Sequence, residues 1–319
     1  MKKSWIHLIV FVMILAVAAG SLQNPYTSMY LGNLKEEAAI TVNGSPLYSE
    51  INEAKSKLDI LPVNATIDRV WKGIPGYNGI VIDAKASYEK MKGKSFNEEM
   101  LVRKEVEPDI QLDELEPTAV YKGNPNKAMV ALMINVAWGE EYLPDMLQVL
   151  KKNNVHATFF LDGSWSKKNP DMVRMLDEEG HEIGNHAYSH PDLKQLSDAS
   201  IRKELEDTNK VIEATIDKKP VVFAPPSGSY ANNAVQIADG LGMQTVLWSV
   251  DTVDWKKPSP HVLTDRVLQK VHAGALILMH PTDPTEKSLD AIIRGVKKRG
   301  FQLGTVSQVL DSKRIEKRS

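Results

Sequence analysis

Met129-Val-Ala-Leu-Met-Ile-Asn-Val136 is an apolar run broken only by Asn135, and it leads into Tyr142 to Asn154, where Leu143, Met146, Leu147 and Leu150 fall on one helical face. The pattern then starts again with Val155-His-Ala-Thr-Phe-Phe-Leu161. Further apolar segments at His181-Glu-Ile-Gly-Asn-His186, Val221-Val-Phe-Ala224, Met243-Gln-Thr-Val-Leu-Trp248 and Ala275-Leu-Ile-Leu-Met-His280 alternate with helical patterns near 170–179, 197–216, 231–241, 259–272 and 286–299. With a closing strand at Phe301 to Thr305, this predicts an α/β domain of about seven strands. Parallel strands need crossover helices, so the order predicts a (β/α) barrel or a doubly wound sheet with its function at the C-terminal strand ends. His186, Pro225, Asp251 and His280 fall at or just after such ends.

The rest of the chain is bounded by composition. Its 319 residues exceed one small domain, and 42% hydrophobic residues allow a large core. A net charge of -2 gives no electrostatic case for nucleic acid. The absence of cysteine excludes disulfides and thiolate metal sites, leaving His, Asp and Glu as the only strong metal ligands. Lys2 and Lys3 precede an apolar run from Trp5 to Ala19, with small residues at Ala16, Ala18 and Gly20. That arrangement predicts export, with residues 1–21 a signal peptide or signal anchor, the only route to a membrane. The run is shorter than a bilayer span needs, which favours cleavage.

Residues 22–125 predict a small α+β accessory region and linker. Ala39-Ile-Thr-Val-Asn-Gly-Ser45 reads as a strand and turn, Ser49 to Asp59 as a capped helix, Gly76 to Asp83 as a turn entering a strand, and Ala86 to Lys92 as a helix. Glu105 to Asn126, rich in Pro, Gly and acidic residues, reads as the linker, and 126–312 as the barrel.

Gly180-His-Glu-Ile-Gly-Asn-His186-Ala-Tyr-Ser-His190-Pro places two imidazoles at a metal-site spacing, which by itself is more often a structural or exposed pair. Together with Asn153 to Leu161, Phe223-Ala-Pro-Pro-Ser-Gly228, Trp248-Ser-Val-Asp-Thr-Val-Asp-Trp255 and Leu276-Ile-Leu-Met-His280, it resembles the polysaccharide deacetylases of carbohydrate esterase family 4, the NodB-like homology domain. The resemblance runs from about Met129 to Leu310, and Trp138-Gly139 is similar to a branch found in sporulating, Gram-positive bacteria. It implies a distorted (β/α) barrel that removes acetyl groups from N-acetyl sugars of peptidoglycan, chitin or related glycans. A divalent ion, zinc or similar, polarises the acetyl carbonyl and a water, a carboxylate takes the proton, and a histidine protonates the leaving amine.

By that resemblance His186 and His190 match the metal ligands and His280 the general acid, with Asp251 or Asp254 orienting it. The family's first strand ends in Thr-Phe-Asp-Asp, the base and the third ligand. Here the positions read Met133-Ile134-Asn135-Val136. An amide is no general base and an isopropyl group ligates nothing. The family's arginine before the Pro-Pro pair, which pairs with the base, is Ala224. An arginine kept there would be a partly buried charge without its partner, so the two losses compensate each other.

Trp255, beyond its strand, is a candidate sugar platform, and Trp248 is either a wall of the same groove or core. Pro225 and Pro226 either border the groove or only fix a loop, and His280 is either the acid or a satisfied barrel-end histidine. Glu140 and Glu141, just after the first strand, and Asp162, ending the second, are candidates to replace the lost base, Glu140 the preferred one, and each reads equally as a solvated or capping residue. Three functions remain open: an exported deacetylase with a modified site, a glycan-binding pseudoenzyme, and a scaffold protein working through residues 22–125. In the first two the partner is a cell-wall glycan.

Overall fold

The computed structural model describes residues 45–315, so the leader-like stretch and the expected strand at Ala39 lie outside the described residues. The described chain divides into two compact units, 45–60 with 80–104 and 61–79 with 105–315. The strands, in chain order, are β1 (Thr66–Asp68), β2 (Lys72–Ile74), β3 (Gly79–Ile82), β4 (Arg103–Val106), β5 (Met129–Val136), β6 (Thr158–Leu161), β7 (Glu182–Asn185), β8 (Val222–Phe223), β9 (Gln244–Thr245), β10 (Val250–Asp251), β11 (Leu276–Met279) and β12 (Gln302–Gly304).

The smaller unit contains helices Pro46–Leu58 and Ala84–Met91, most of β3 and the first half of its paired strand β4. The first helix starts where Ser45 Oγ accepts the Tyr48 N–H at 3.0 Å and Pro46, lacking an N–H, takes the first turn. Ile51, Ile82, Met91 and Leu101 form its core.

The larger unit is a distorted (β/α) barrel. Its parallel strands run in the order β10-β11-β5-β6-β7-β8-β9, and β12 pairs with the opening residues of β5. The eight residues of β5 lie at the centre and are almost wholly buried, as expected for a parallel strand covered on both faces. Alternation along the strands makes two apolar layers. Ala131, Met133, Phe160, Val222, Ala224, Val246 and Leu276 pack together on one face. Val130, Leu132, Ile134, Val136, Phe159, Leu161, Ile277 and Met279 pack on the other with Leu143, Met146 and Leu150 of helix Leu143–Lys152 and with Leu289, Ile292 and Val296 of helix Asp283–Lys298.

The stretch Glu105 to Asn126, expected as the linker, falls within the larger unit and is hydrogen-bonded to its strands. The Val120 N–H bonds the Thr245 carbonyl at 3.0 Å, the Leu247 N–H bonds the Val120 carbonyl at 2.8 Å, and the Gly123 N–H bonds Gly274 at 2.8 Å. Exposed backbone donors and acceptors of the barrel strands thus bind this segment into the larger unit. The strand expected over Met243 to Trp248 is confined to Gln244–Thr245, β9, and a further short strand, β10, follows at Val250–Asp251.

Candidate active-site cleft

The C-terminal strand ends border a cleft of about 460 Å³. On one side Asp254, fully buried, is held by three donors: the His280 backbone N–H at 2.5 Å, His280 Nδ1 at 2.8 Å and the Thr285 hydroxyl at 2.7 Å. A carboxylate only accepts, so Nδ1 carries the hydrogen and Nε2 is the ring nitrogen left for a ligand. Of the two aspartates left open by sequence, Asp254 is the partner of His280. Asp251 lines the cleft instead, one carboxylate oxygen accepting the Val253 N–H at 2.8 Å.

Trp138 stacks on the His280 ring, with centroids 6.0 Å apart and planes 8° from parallel. The stack depends on Gly139, whose φ is +84° and where a Cβ would stand 2.2 Å from the Pro281 carbonyl oxygen. Only glycine combines that conformation with that approach. In the sequence Trp138 stands only as a branch marker, and its place directly beyond the end of β5 is the signal of a role in the site.

On β5, which pairs directly with β11 and sets Met279 beside Ile134, lie the altered positions. Asn135 is 4% exposed, lines the cleft, and has an amide oxygen without a hydrogen-bond partner. Val136, one residue on, belongs to the helix-facing layer. It is therefore not simply a cleft position short of a ligand: strand alternation turns it away from Asn135, and its isopropyl group contributes to the core. His186 is buried, and its Nδ1 bonds the Ala224 carbonyl at 2.7 Å. The carbonyl can only accept, so Nδ1 carries the hydrogen. Burial, with neighbouring His190 adding to it, lowers the pKa of His186 from 6.5 to about 3. Exposed His190 lies edge-on to it at 5.1 Å between centroids.

Trp248 and Trp255 complete the aromatic walls. Trp255 is 55% exposed, with Lys256 Nζ 4.9 Å from its ring centroid. Trp248 is half-buried and packs so closely on Gly228 that a Cβ there would lie 2.7 Å from its indole. Pro225 and Pro226 are buried and shape the turn Pro226–Gly228, and it is Ser227 that reaches the cleft. Ala187, His190, Ser227 and Val253 all have φ between 55° and 62°. Such left-handed backbone is costly, most of all for β-branched Val253, and here it surrounds the cleft.

Glu140, expected as the replacement base, lies beside Trp165. Its carboxylate accepts the Trp165 indole N–H at 3.2 Å, and it is not among the cleft-lining residues. Asp162 caps helix Gly163–Lys168 through the Trp165 N–H at 2.8 Å. The donor set does not fit the family's metal. Two imidazoles remain, the third position is a core valine, and no group of three His, Cys, Asp or Glu among the described residues could hold an ion.

Residues 122–246 match the family model for polysaccharide deacetylase. The chain is 47% identical over 320 residues to the uncharacterized protein YlxY of Bacillus subtilis, covering 99% of this chain and 100% of that one. It is 35% identical to a peptidoglycan-N-acetylglucosamine deacetylase of Bacillus cereus, covering 62% of this chain and 74% of that protein. Among solved structures it is similar to BA3943 of Bacillus anthracis, described as a carbohydrate esterase family 4 pseudoenzyme, at 48% identity and a TM-score of 0.77, covering 85% of this chain and 97% of that one. A mutant of BA3943 described as having restored enzymatic activity matches at 47% identity and a TM-score of 0.78, covering 85% of this chain and 100% of the mutant.

Proposed function

Because the chain belongs to the polysaccharide deacetylase family, we propose that it is an exported, glycan-binding member that keeps the cleft without metal-assisted deacetylation. The observation that carries this reading is Asn135, an amide buried in the cleft at the base position. An amide does not take a proton from water near neutral pH, so no group there generates the attacking hydroxide. His280, oriented by Asp254, retains the geometry of a proton donor but has no attack to complete. The aromatic walls and the depth of the cleft suit a sugar ring. A cell-wall glycan as partner follows from the relative named a peptidoglycan-N-acetylglucosamine deacetylase, and export from Lys2 and Lys3 ahead of the apolar run Trp5 to Ala19.

The test is calorimetric titration of the intact chain with chitooligosaccharides and soluble peptidoglycan fragments, with acetate assayed in the same samples. Saturable binding without acetate release, weakened at least several-fold by Trp255→Ala, is expected. Absence of binding to every glycan, or turnover at the cleft, contradicts the reading.

A further inference from the structure

A second concavity, of about 300 Å³, opens at the other end of the barrel. Met129 at the start of β5, His156 just before β6 and Gly304 of β12 border it, so it lies at the N-terminal strand ends. At about 3.3 Å per residue, the length of β5 separates it from the cleft by roughly 20 Å. Its lining carries Lys127, Lys313 and Arg314 against one carboxylate, Asp311. None of the three cations forms an ion pair among the described residues.

Lys127 is 3% exposed, and its ammonium donates to the Gln308 and Asp311 carbonyls at 2.5 and 2.6 Å, which leaves one N–H without a partner. It clamps the end of helix Val306–Leu310, which accounts for its place but not for its charge. Carbonyl oxygens satisfy hydrogen bonds without neutralising an ammonium. Burial accordingly lowers the Lys127 pKa from 10.5 to about 8, with Asp311 and Glu105 opposing the fall. The Arg314 guanidinium is held 4.5 Å over the Tyr77 ring centroid while its Nε donates to the Asn78 carbonyl at 2.9 Å. Its terminal N–H groups, the exposed Lys313 ammonium and the Asn154 amide have no hydrogen-bond partner among the described residues.

We infer that this concavity binds a phosphate group, at a site separate from the glycan cleft and independent of what the cleft does. A phosphate brings one to two negative charges and several acceptor oxygens, which match two ammonium groups and a guanidinium already fixed in place by stacking. A carboxylate brings one charge and two oxygens, and a neutral sugar leaves the unpaired cations as they are. A free phosphate ester and a lipid headgroup present the same chemistry.

Calorimetric titration of the full chain with inorganic phosphate and with glycerol 3-phosphate at fixed ionic strength, beside co-sedimentation with phosphatidylglycerol and phosphatidylcholine vesicles, tests the site. Saturable binding of a phosphate ion or ester, or sedimentation with the anionic vesicles over the zwitterionic ones, is expected. Lys313→Glu combined with Arg314→Gln should weaken it by about fivefold or more, the scale of removing or reversing a charge about 5 Å from an anion in water. Lys313→Glu alone changes only an exposed side chain and keeps the test readable if the double variant fails to fold. Binding of the soluble phosphates without vesicle preference identifies a free phosphate, and sedimentation with phosphatidylglycerol alone identifies a headgroup. Absence of binding in every arm, binding unmoved by Lys313→Glu, or acetate binding as tightly as phosphate overturns the inference.

Discussion

Replacing Asp254 by alanine removes the acceptor for three donors in a site closed to water: the His280 N–H, His280 Nδ1–H and the Thr285 hydroxyl. Hydrogen bonds to a charged group contribute about 1.5–3 kcal/mol each, and orphaned buried donors incur their desolvation cost in full. Contacts that share one carboxylate are not additive, which brings the expected loss for Asp254→Ala to about 3–6 kcal/mol. Against a total stability of about 5–15 kcal/mol, that is a large fraction. Urea unfolding followed by circular dichroism should show a much lower midpoint with little change in slope. Thr285→Val, which removes one donor and leaves the carboxylate in place, should cost only about 1–2 kcal/mol, and it keeps the test readable if the alanine variant fails to fold. A loss below about 1 kcal/mol for Asp254→Ala would refute the reasoning that these three bonds hold the β11 end of the cleft.

Three further outcomes are expected. Gly139→Ala should destabilise by about 2 kcal/mol or more, since it puts a Cβ at positive φ and against the Pro281 carbonyl; an unchanged thermal midpoint would contradict this. Burial lowers the pKa of His181 to about 4 and that of His186 to about 3, while both would titrate near 6.5 in the unfolded chain. The unfolded state then binds the extra protons below that value, so stability holds above about pH 6.5 and falls by about 2 kcal/mol per histidine between pH 6.5 and 5. Urea midpoints that stay constant from pH 7.5 to 5 would contradict it. Asn135→Asp combined with Val136→Asp and Ala224→Arg should unfold more easily by about 2–4 kcal/mol, because strand alternation aims residue 136 into the helix-facing layer; an unchanged urea midpoint would contradict that placement.

The barrel was legible because its strands are apolar runs of ordinary length and its helices carry clear amphipathic faces, as in Leu143–Lys152. The same periodicity could not show that Glu105 to Asn126 adds backbone bonds to the barrel, since a segment bound through Val120 and Gly123 main chain leaves no side-chain pattern. The His186, His190 and Asn135 positions were legible from motifs. The choice between Asp251 and Asp254 was not, because it turns on the left-handed backbone at Val253 that sends the two carboxylates to different places. The motif marks Val136 as a missing ligand, while β alternation places it in the core layer. The Trp138 stack on His280 required a contact between residues far apart in sequence.

Acetate released from N-acetylated chitooligosaccharides and peptidoglycan by the unaltered chain, with zinc, cobalt or manganese supplied, should be no greater than that of a His280→Ala control under every metal. Metal-dependent release by the unaltered chain that disappears in His280→Ala would contradict it, showing that the cleft deacetylates despite Asn135 and Val136.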